Sequence, residues 1–269
     1  MIVHNFDPIL IDLGLFQIKW YSIAYILGIV IGWVYAIKII KLTTINEYKF
    51  EQIKIFQFND LIIYLVIGIV FGGRLGYVFF YNFEYYIHNV FEILKIWQGG
   101  MSFHGGLLGV IVAIIFFSNK TKTDFFKFAD IVSCVAPIGI FLGRIANFIN
   151  GELYGKISTL PWSVIFPEGG NVARHPSQIY EAILEGIILF ILINYLALKK
   201  QLLFKPGYIA GLFLILYSML RIFSENFREP DIHLGYFFNY FSMGVILSSV
   251  TFLAGCYIIF LIKKNEQNN

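Results

Sequence analysis

The stretch FADIVSCVAPIGIFLGRIANFINGELYG, residues 128–155, decides how this chain is read: a long apolar run enters an arginine, two amides and a carboxylate. Its first part, 128–148, has the roughly 20 residues that an α-helix needs to cross a bilayer. Its second part is costly there, because an ionised side chain at the centre of the hydrocarbon core carries a penalty of roughly 2.5–3.5 kcal/mol even on lenient scales. The same segment therefore predicts a membrane span and marks the first place to look for function.

Outward from it, apolar runs of spanning length fall at 20–40, 59–81, 101–118, 177–198, 207–224 and 236–262. With 58% hydrophobic residues, 19% aromatic and 14% charged, and a mean hydropathy of +0.73, the composition is not that of an ordinary soluble domain. The expected fold is an all-α integral membrane protein with seven transmembrane helices. Residues 1–269 read as one polytopic membrane domain, and the Gly- and Pro-rich connection 149–176 as a small external cap within it.

Charge orients the bundle. Lys38, Lys41, Lys49 and Lys54 follow the first run, Lys120, Lys122 and Lys127 the third, Lys199, Lys200 and Lys205 the fifth, and Lys263 and Lys264 the seventh. Lysine-rich alternate loops are cytoplasmic by the positive-inside rule, which places the N-terminus outside and the C-terminus inside. No basic region precedes the first run, so that run is expected to be retained rather than cleaved as a signal peptide. The net charge of +3 follows from the cytoplasmic lysines and gives no support to nucleic-acid binding. Cys134 and Cys256 fall inside predicted spans and read as packing residues, not as a disulfide or a zinc site.

The five arginines behave differently: Arg74, Arg144, Arg174, Arg221 and Arg228 all fall within spans or outer loops. A guanidinium stays charged and grips phosphate through parallel hydrogen bonds, which suits a buried anion site. The competing reading is that they pair with carboxylates and lock helices together. Small residues spaced four apart, at Gly28/Gly32, Gly68/Gly72, Gly72/Gly76, Gly105/Gly109, Gly139/Gly143 and Gly207/Gly211, predict close helix packing.

Four constellations carry candidate chemistry. Arg144 and Asn147 share a helix face; Asn150-Gly151 signals a turn, after which come Glu152 and Gly155. Tyr217, Arg221, Glu225 and Arg228 form one helical stripe in which two arginines flank one carboxylate, a surplus of positive charge suited to an anionic ligand. His104 lies among glycines where the third run opens, and histidine can take a proton from a thiol or hydroxyl near neutral pH. Arg74 with Tyr77 and Tyr81, the run Arg174-His-Pro-Ser-Gln-Ile-Tyr-Glu181, and Trp20-Tyr21 mark other outer ends. His4, His88 and His233 read as solvated, and most tyrosines as interfacial anchors.

The run Gly143-Arg-x-Ala-Asn-Phe-x-Asn-Gly-Glu-x-x-Gly155 resembles the signature of bacterial prolipoprotein diacylglyceryl transferases. His104-Gly-Gly, Arg174-His-Pro-Ser-Gln, and Arg221, Glu225 and Arg228-Glu-Pro-Asp231 follow in that family's order, so the resemblance covers essentially the whole chain. It implies a multi-pass protein of the bacterial plasma (inner) membrane whose active site faces outward. It also implies transfer of the diacylglyceryl group of phosphatidylglycerol to the lipobox cysteine of lipoprotein precursors, with a thioether formed and glycerol 1-phosphate released.

In that reaction His104, Arg144 and Arg221 are the expected catalytic residues. His104 serves as base for the thiol, and the arginines stabilise the departing phosphate. Tyr21, Arg74, Asn147, Glu152, Gly155, Tyr217, Glu225 and Arg228 are the expected substrate-binding residues. The implied partners are phosphatidylglycerol, lipobox precursors and the bilayer, with no cofactor and no metal. The competing class is a transporter or channel for an anionic solute, which predicts polar groups through both halves of the membrane and repeat symmetry. An intramembrane protease is a weaker competitor, since Gly-x-Ser-Gly, Gly-x-Gly-Asp and His-Glu-x-x-His are absent.

Overall fold

The computed structural model describes residues 2–14, 17–45, 53–96, 99–230, 235–237 and 240–268. Its helices are α1 (Trp20–Ile45), α2 (Ile55–Phe80), α3 (Phe83–His88), α4 (Phe103–Thr121), α5 (Phe125–Ile149), α6 (Ser177–Glu181), α7 (Leu189–Asn194), α8 (Tyr208–Glu225) and α9 (Met243–Asn268). Short strands accompany them: β1 (Ile2–Val3), β2 (Ile9–Asp12), β3 (Gln17–Lys19), β4 (Val164–Ile165), β5 (Ala173–Arg174), β6 (Tyr236–Phe237) and β7 (Phe241–Ser242).

Among the described residues seven helical stretches are long and apolar enough to cross a membrane, the fifth being the continuous run Ser177–Lys199 that contains α6 and α7. They match the seven runs read from hydropathy. The last starts at Met243 rather than near 236, because β6 and β7 pair as a short hairpin ahead of it.

Contacts gather in two compact units, Met1–Ala36 with Asp130–Asn269, and Ile37–Ala129. In the latter, α2 and α4 meet backbone to backbone. A Cβ built on Gly76 would lie 2.6 Å from Gly105 Cα, and one on Gly72 would lie 2.8 Å from Gly109 Cα. Lipid tails are as apolar as leucine, so helices in a bilayer gain little by burying large side chains and gain more from close van der Waals contact. That is why the four-residue glycine spacing on both helices forms a seam. The first turn of α4 is capped by Ser102, whose hydroxyl accepts from the Gly105 N–H at 3.2 Å.

In the larger unit the same device brings α1 to α5, with a Cβ on Gly28 3.2 Å from Gly139 Cα, and α8 to α9 at Gly211 and Gly255. Asp130 is buried in α5, yet each of its oxygens has a donor: Gly207 N–H and Ala210 N–H, both at 2.7 Å. A carboxylate from one helix thus caps the start of α8, where unpaired N–H groups and the helix dipole favour negative charge. The fifth span widens into π-helical turns at Ala182–Ile188 and Tyr195–Lys199, a geometry that recurs at functional sites.

The connection 149–176 includes β4 and β5, antiparallel to one another, and β1 extends the sheet by pairing parallel to β4. The N-terminal strand is a part of this sheet that hydropathy alone did not reveal. It also corrects the reading of His4 as solvated: its Nε2 lies 2.7 Å from the Phe148 carbonyl oxygen, and its ring is buried among Phe6, Phe148 and Phe166. His88 is exposed, as read; His233, Asp231 and Lys49 lie outside the described residues. Cys134 is buried and both cysteines are free thiols.

Candidate active site

The helix carrying Arg144 ends where its sequence says it should, at Ile149, and Gly151 then turns the chain with φ +69°. Arg144 and Asn147, three residues apart on α5, send their polar groups to different partners. Arg144 Nε lies 2.9 Å from Glu181 Oε2, and its Nη2 lies 3.2 Å from Glu185 Oε2. Asn147 Nδ2 donates to the Tyr21 hydroxyl at 2.5 Å and to Glu152 Oε1 at 2.9 Å. Tyr21 in turn stacks on Tyr25, so the start of α1, the end of α5 and the loop after it are tied together through one amide.

The stripe on α8 meets the same carboxylates. Arg221 Nη1 lies 2.9 Å from Glu181 Oε1 and 3.4 Å from Glu185 Oε1, while its Nη2 pairs with Glu225, one turn on. Arg228, just past the end of α8, reaches Glu181 at 3.3 Å. Serine hydroxyls occupy remaining acceptor positions: Ser224 Oγ is 3.1 Å from Glu185 Oε1 and Ser242 Oγ donates to Glu225 Oε2 at 2.8 Å. Tyr217 is buried one turn before Arg221, its ring stacked on Phe213.

The expected surplus of positive charge on this stripe does not survive in three dimensions. Glu181 and Glu185 come from the fifth span and, with Glu225, balance Arg144, Arg221 and Arg228 charge for charge. Burying unpaired guanidinium groups would cost several kcal/mol each, so the carboxylates are what makes the cluster tenable. What favours an anion here is orientation. The Glu181 and Glu185 side chains are 1% and 0% exposed, whereas Arg144 keeps 15%, and its Nη1 donates to none of the described residues. Carboxylates are walled in, and one guanidinium nitrogen is left unengaged by them.

Sequence reasoning misses Glu185, Ser224 and Ser242, and takes in Glu181 only as the last residue of the run that opens the fifth span. A signal was available: two carboxylates four residues apart within an apolar run are as anomalous as a buried arginine.

Gly155 sits where a side chain cannot. A Cβ there would lie 2.5 Å from the Phe227 carbonyl oxygen and 2.7 Å from His175 Cβ. Its N–H donates to the His175 carbonyl at 2.9 Å, and its carbonyl accepts from Arg174 Nη1 at 3.1 Å. Gln178 Nε2 donates to the Glu152 carbonyl at 2.6 Å, which pins the loop from the start of the fifth span. Arg174, paired with Glu229 at 3.1 Å and stacked on Tyr154, serves the cap rather than the cluster.

Two expected site residues belong to the smaller unit. His104 lies in the first turn of α4, partly exposed. Arg74 is 3% exposed, and all five of its N–H donors point at main-chain carbonyls: Nε to Ile93 at 2.9 Å, Nη1 to Gly99 at 2.5 Å and Gly100 at 3.3 Å, Nη2 to Glu92 at 2.7 Å and Lys95 at 3.2 Å. No donor is left for a phosphate, so the expectation that Arg74 binds substrate is not met by this geometry.

The sequence matches the profile of the prolipoprotein diacylglyceryl transferase family over residues 8–261. A protein of Rickettsia typhi named phosphatidylglycerol–prolipoprotein diacylglyceryl transferase is 48% identical over 259 residues, covering 96% of this chain and 98% of its own length. Proteins of the same name from Rhizobium meliloti and Nitrobacter hamburgensis are 43% and 46% identical, covering 94% of this chain and 91% and 87% of their own lengths. With seven apolar spans, the ordered motifs and full-length relatives in agreement, the chain belongs to the prolipoprotein diacylglyceryl transferase family.

Proposed function

We propose that this chain transfers the diacylglyceryl group of phosphatidylglycerol to the lipobox cysteine thiol of lipoprotein precursors, the first step of bacterial lipoprotein maturation. The single observation that carries the reading is the unengaged Nη1 of Arg144 in a cluster whose carboxylates are sealed. A phosphodiester brings one negative charge to a centre that is otherwise balanced, and finds donors aimed at it that need no reorganisation.

In the reaction a carbon–sulfur bond forms at the glycerol carbon and the carbon–oxygen bond to phosphate breaks. The thiol proton passes to a base, and glycerol 1-phosphate leaves with the electron pair. Free cysteine titrates near 8.5, so it needs such a base or a positive field to attack at neutral pH. His104 is assigned the proton on its residue type and family motif. Arg144 and Arg221 stabilise the phosphate as its charge grows, with Arg228 in support. Glu225 orients Arg221, and Tyr21, Asn147, Glu152 and Tyr217 meet the headgroup or hold those that do. Gly155 keeps the loop after α5 close to the cap.

The lysine distribution supports an outer-facing site, with the N-terminus outside and the C-terminus in the cytoplasm of a bacterial inner membrane. The test is incubation of the purified protein with phosphatidylglycerol and a lipobox peptide, followed by mass spectrometry. A diacylglyceryl thioether on the peptide cysteine is the expected product. No adduct, under conditions in which a relative from Rickettsia typhi forms one, rejects the reading.

A further inference from the structure

Arg74 is buried, charged and unused by the chemistry above, and its surroundings explain why it is there. The carbonyls of Glu92 and Ile93 belong to a short 3-10 turn, Val90–Leu94; the Glu92 carbonyl also accepts from the Lys95 N–H at 3.1 Å, and carbonyls at a helix end attract a cation. The Tyr86 ring lies 5.1 Å from the guanidinium carbon, covering one face. Gly99 and Gly100, with φ +87° and +76°, then turn their carbonyls onto Nη1. A Cβ on Gly100 would lie 2.6 Å from the Tyr77 ring and 2.9 Å from Arg74 Nη1.

Immediately beyond, Ser102 N–H donates to the Gly73 carbonyl at 2.8 Å, and the Ser102 hydroxyl caps α4. Gly73, Arg74 and Tyr77 on one outer turn of α2 therefore hold the chain that delivers His104 into the first turn of α4.

We propose that Arg74 is a positioning residue: its five hydrogen bonds to main-chain carbonyls fix Glu92–Lys95 and Gly99–Gly100, and through them the start of the helix that bears His104. The proposal rests on the reading of His104 as proton acceptor. Lysine cannot replace Arg74, because an ammonium has three donors around a point and cannot satisfy five carbonyls in a plane.

The test compares full-length unsubstituted protein with Arg74→Gln and with Gly100→Ala, which disturbs the same contact from the other side while leaving the arginine in place. Both substitutions are expected to lower the rate at saturating phosphatidylglycerol, by about 100-fold for a displaced catalytic group, with KM for the lipid changed by less than about twofold. His104→Gln should cost less in the Arg74→Gln background than alone, because both act on one function.

Hydrogen exchange supplies a readout independent of activity. Amides of Ser102–Gly106 should exchange about tenfold faster in both variants, with the later turns of α4 unchanged. A raised KM with an unchanged maximal rate would make Arg74 a phosphate ligand and overturn the proposal. So would unchanged exchange at Ser102–Gly106, or loss of protection throughout α2 and α4. If the unsubstituted protein made no thioether, the transferase reading would fall, while exchange would still decide whether Arg74 fixes the start of α4.

Discussion

Arg74 and Arg144 are both largely buried arginines near the C-terminal ends of membrane-spanning helices, and their surroundings are opposites. Arg74 spends all five donors on neutral main-chain carbonyls, whereas Arg144 is held by two carboxylates through Nε and Nη2 and leaves Nη1 unengaged. The first arrangement fixes backbone and leaves nothing for a ligand. The second neutralises the charge enough to bury it and still leaves donors to spare. Residue type and depth are shared; the difference lies in which partners the fold supplies.

The contrast can be broken most severely at Glu185. Replacing it with alanine leaves Arg144 and Arg221 short of a buried counter-charge, a change that costs about 3–5 kcal/mol. A large drop in Tm of the purified protein and loss of transferase activity are the expected outcomes. Near-wild-type stability would mean that the carboxylate is not what makes the arginines tenable.

Next comes Arg144→Lys, which preserves charge but loses the planar fork. A fall of about 100-fold in transfer rate, or roughly 2.7 kcal/mol, is expected by analogy with the loss of one preorganised donor. An unchanged rate would show that charge alone suffices and that the unengaged Nη1 is incidental.

The seam of the smaller unit gives a control of another kind, since it holds helices together with no charge at all. Gly109→Leu places a side chain against the Gly68 carbonyl, and overpacking of this sort costs about 1–3 kcal/mol. Thermal melts should show destabilisation. Gly143→Ala, whose added Cβ meets nothing within 4 Å, should leave the melting temperature near that of the parent.

The smallest effect is expected in the cap. Partial burial, and then the nearby Lys156 ammonium, hold the His175 imidazole below its ordinary value of 6.5. The folded state thus binds this proton more weakly than the unfolded chain does. His175 therefore contributes stability above about pH 6.5 that is lost as pH falls below it. Between pH 7.5 and 5.5 the His175→Gln variant should show a shallower decline in Tm than the parent, by no more than about 2 °C. Identical slopes would remove His175 as the source.

Much of the site was legible because cost is legible. Arg144, Asn147 and Glu152 stand out in an apolar run, and the stripe Tyr217, Arg221, Glu225, Arg228 follows from helical spacing. The structure pairs Arg221 with Glu225 as that spacing suggests, and Asn147 with Glu152 across the turn that ends α5, which helical spacing does not give. The cluster's neutrality was not legible, since Glu181 and Glu185 come from a different span and a π-helical turn carries the second of them. The place of His4 was hidden for a similar reason: nothing in two N-terminal residues announces that they pair with Val164 and Ile165.

By itself the sequence determined that the chain crosses a membrane seven times, that the Arg144 helix ends at the Asn150-Gly151 turn, and which family it belongs to. These follow from the local cost of polar groups in lipid, from turn chemistry and from motif order, all of which act along the chain. Only the tertiary structure decided what each buried charge does. An arginine's role depends on whether neighbouring elements offer carbonyls or carboxylates, and on how many of its five donors they consume. That sum runs over residues far apart in sequence, so it exists only once the helices have packed.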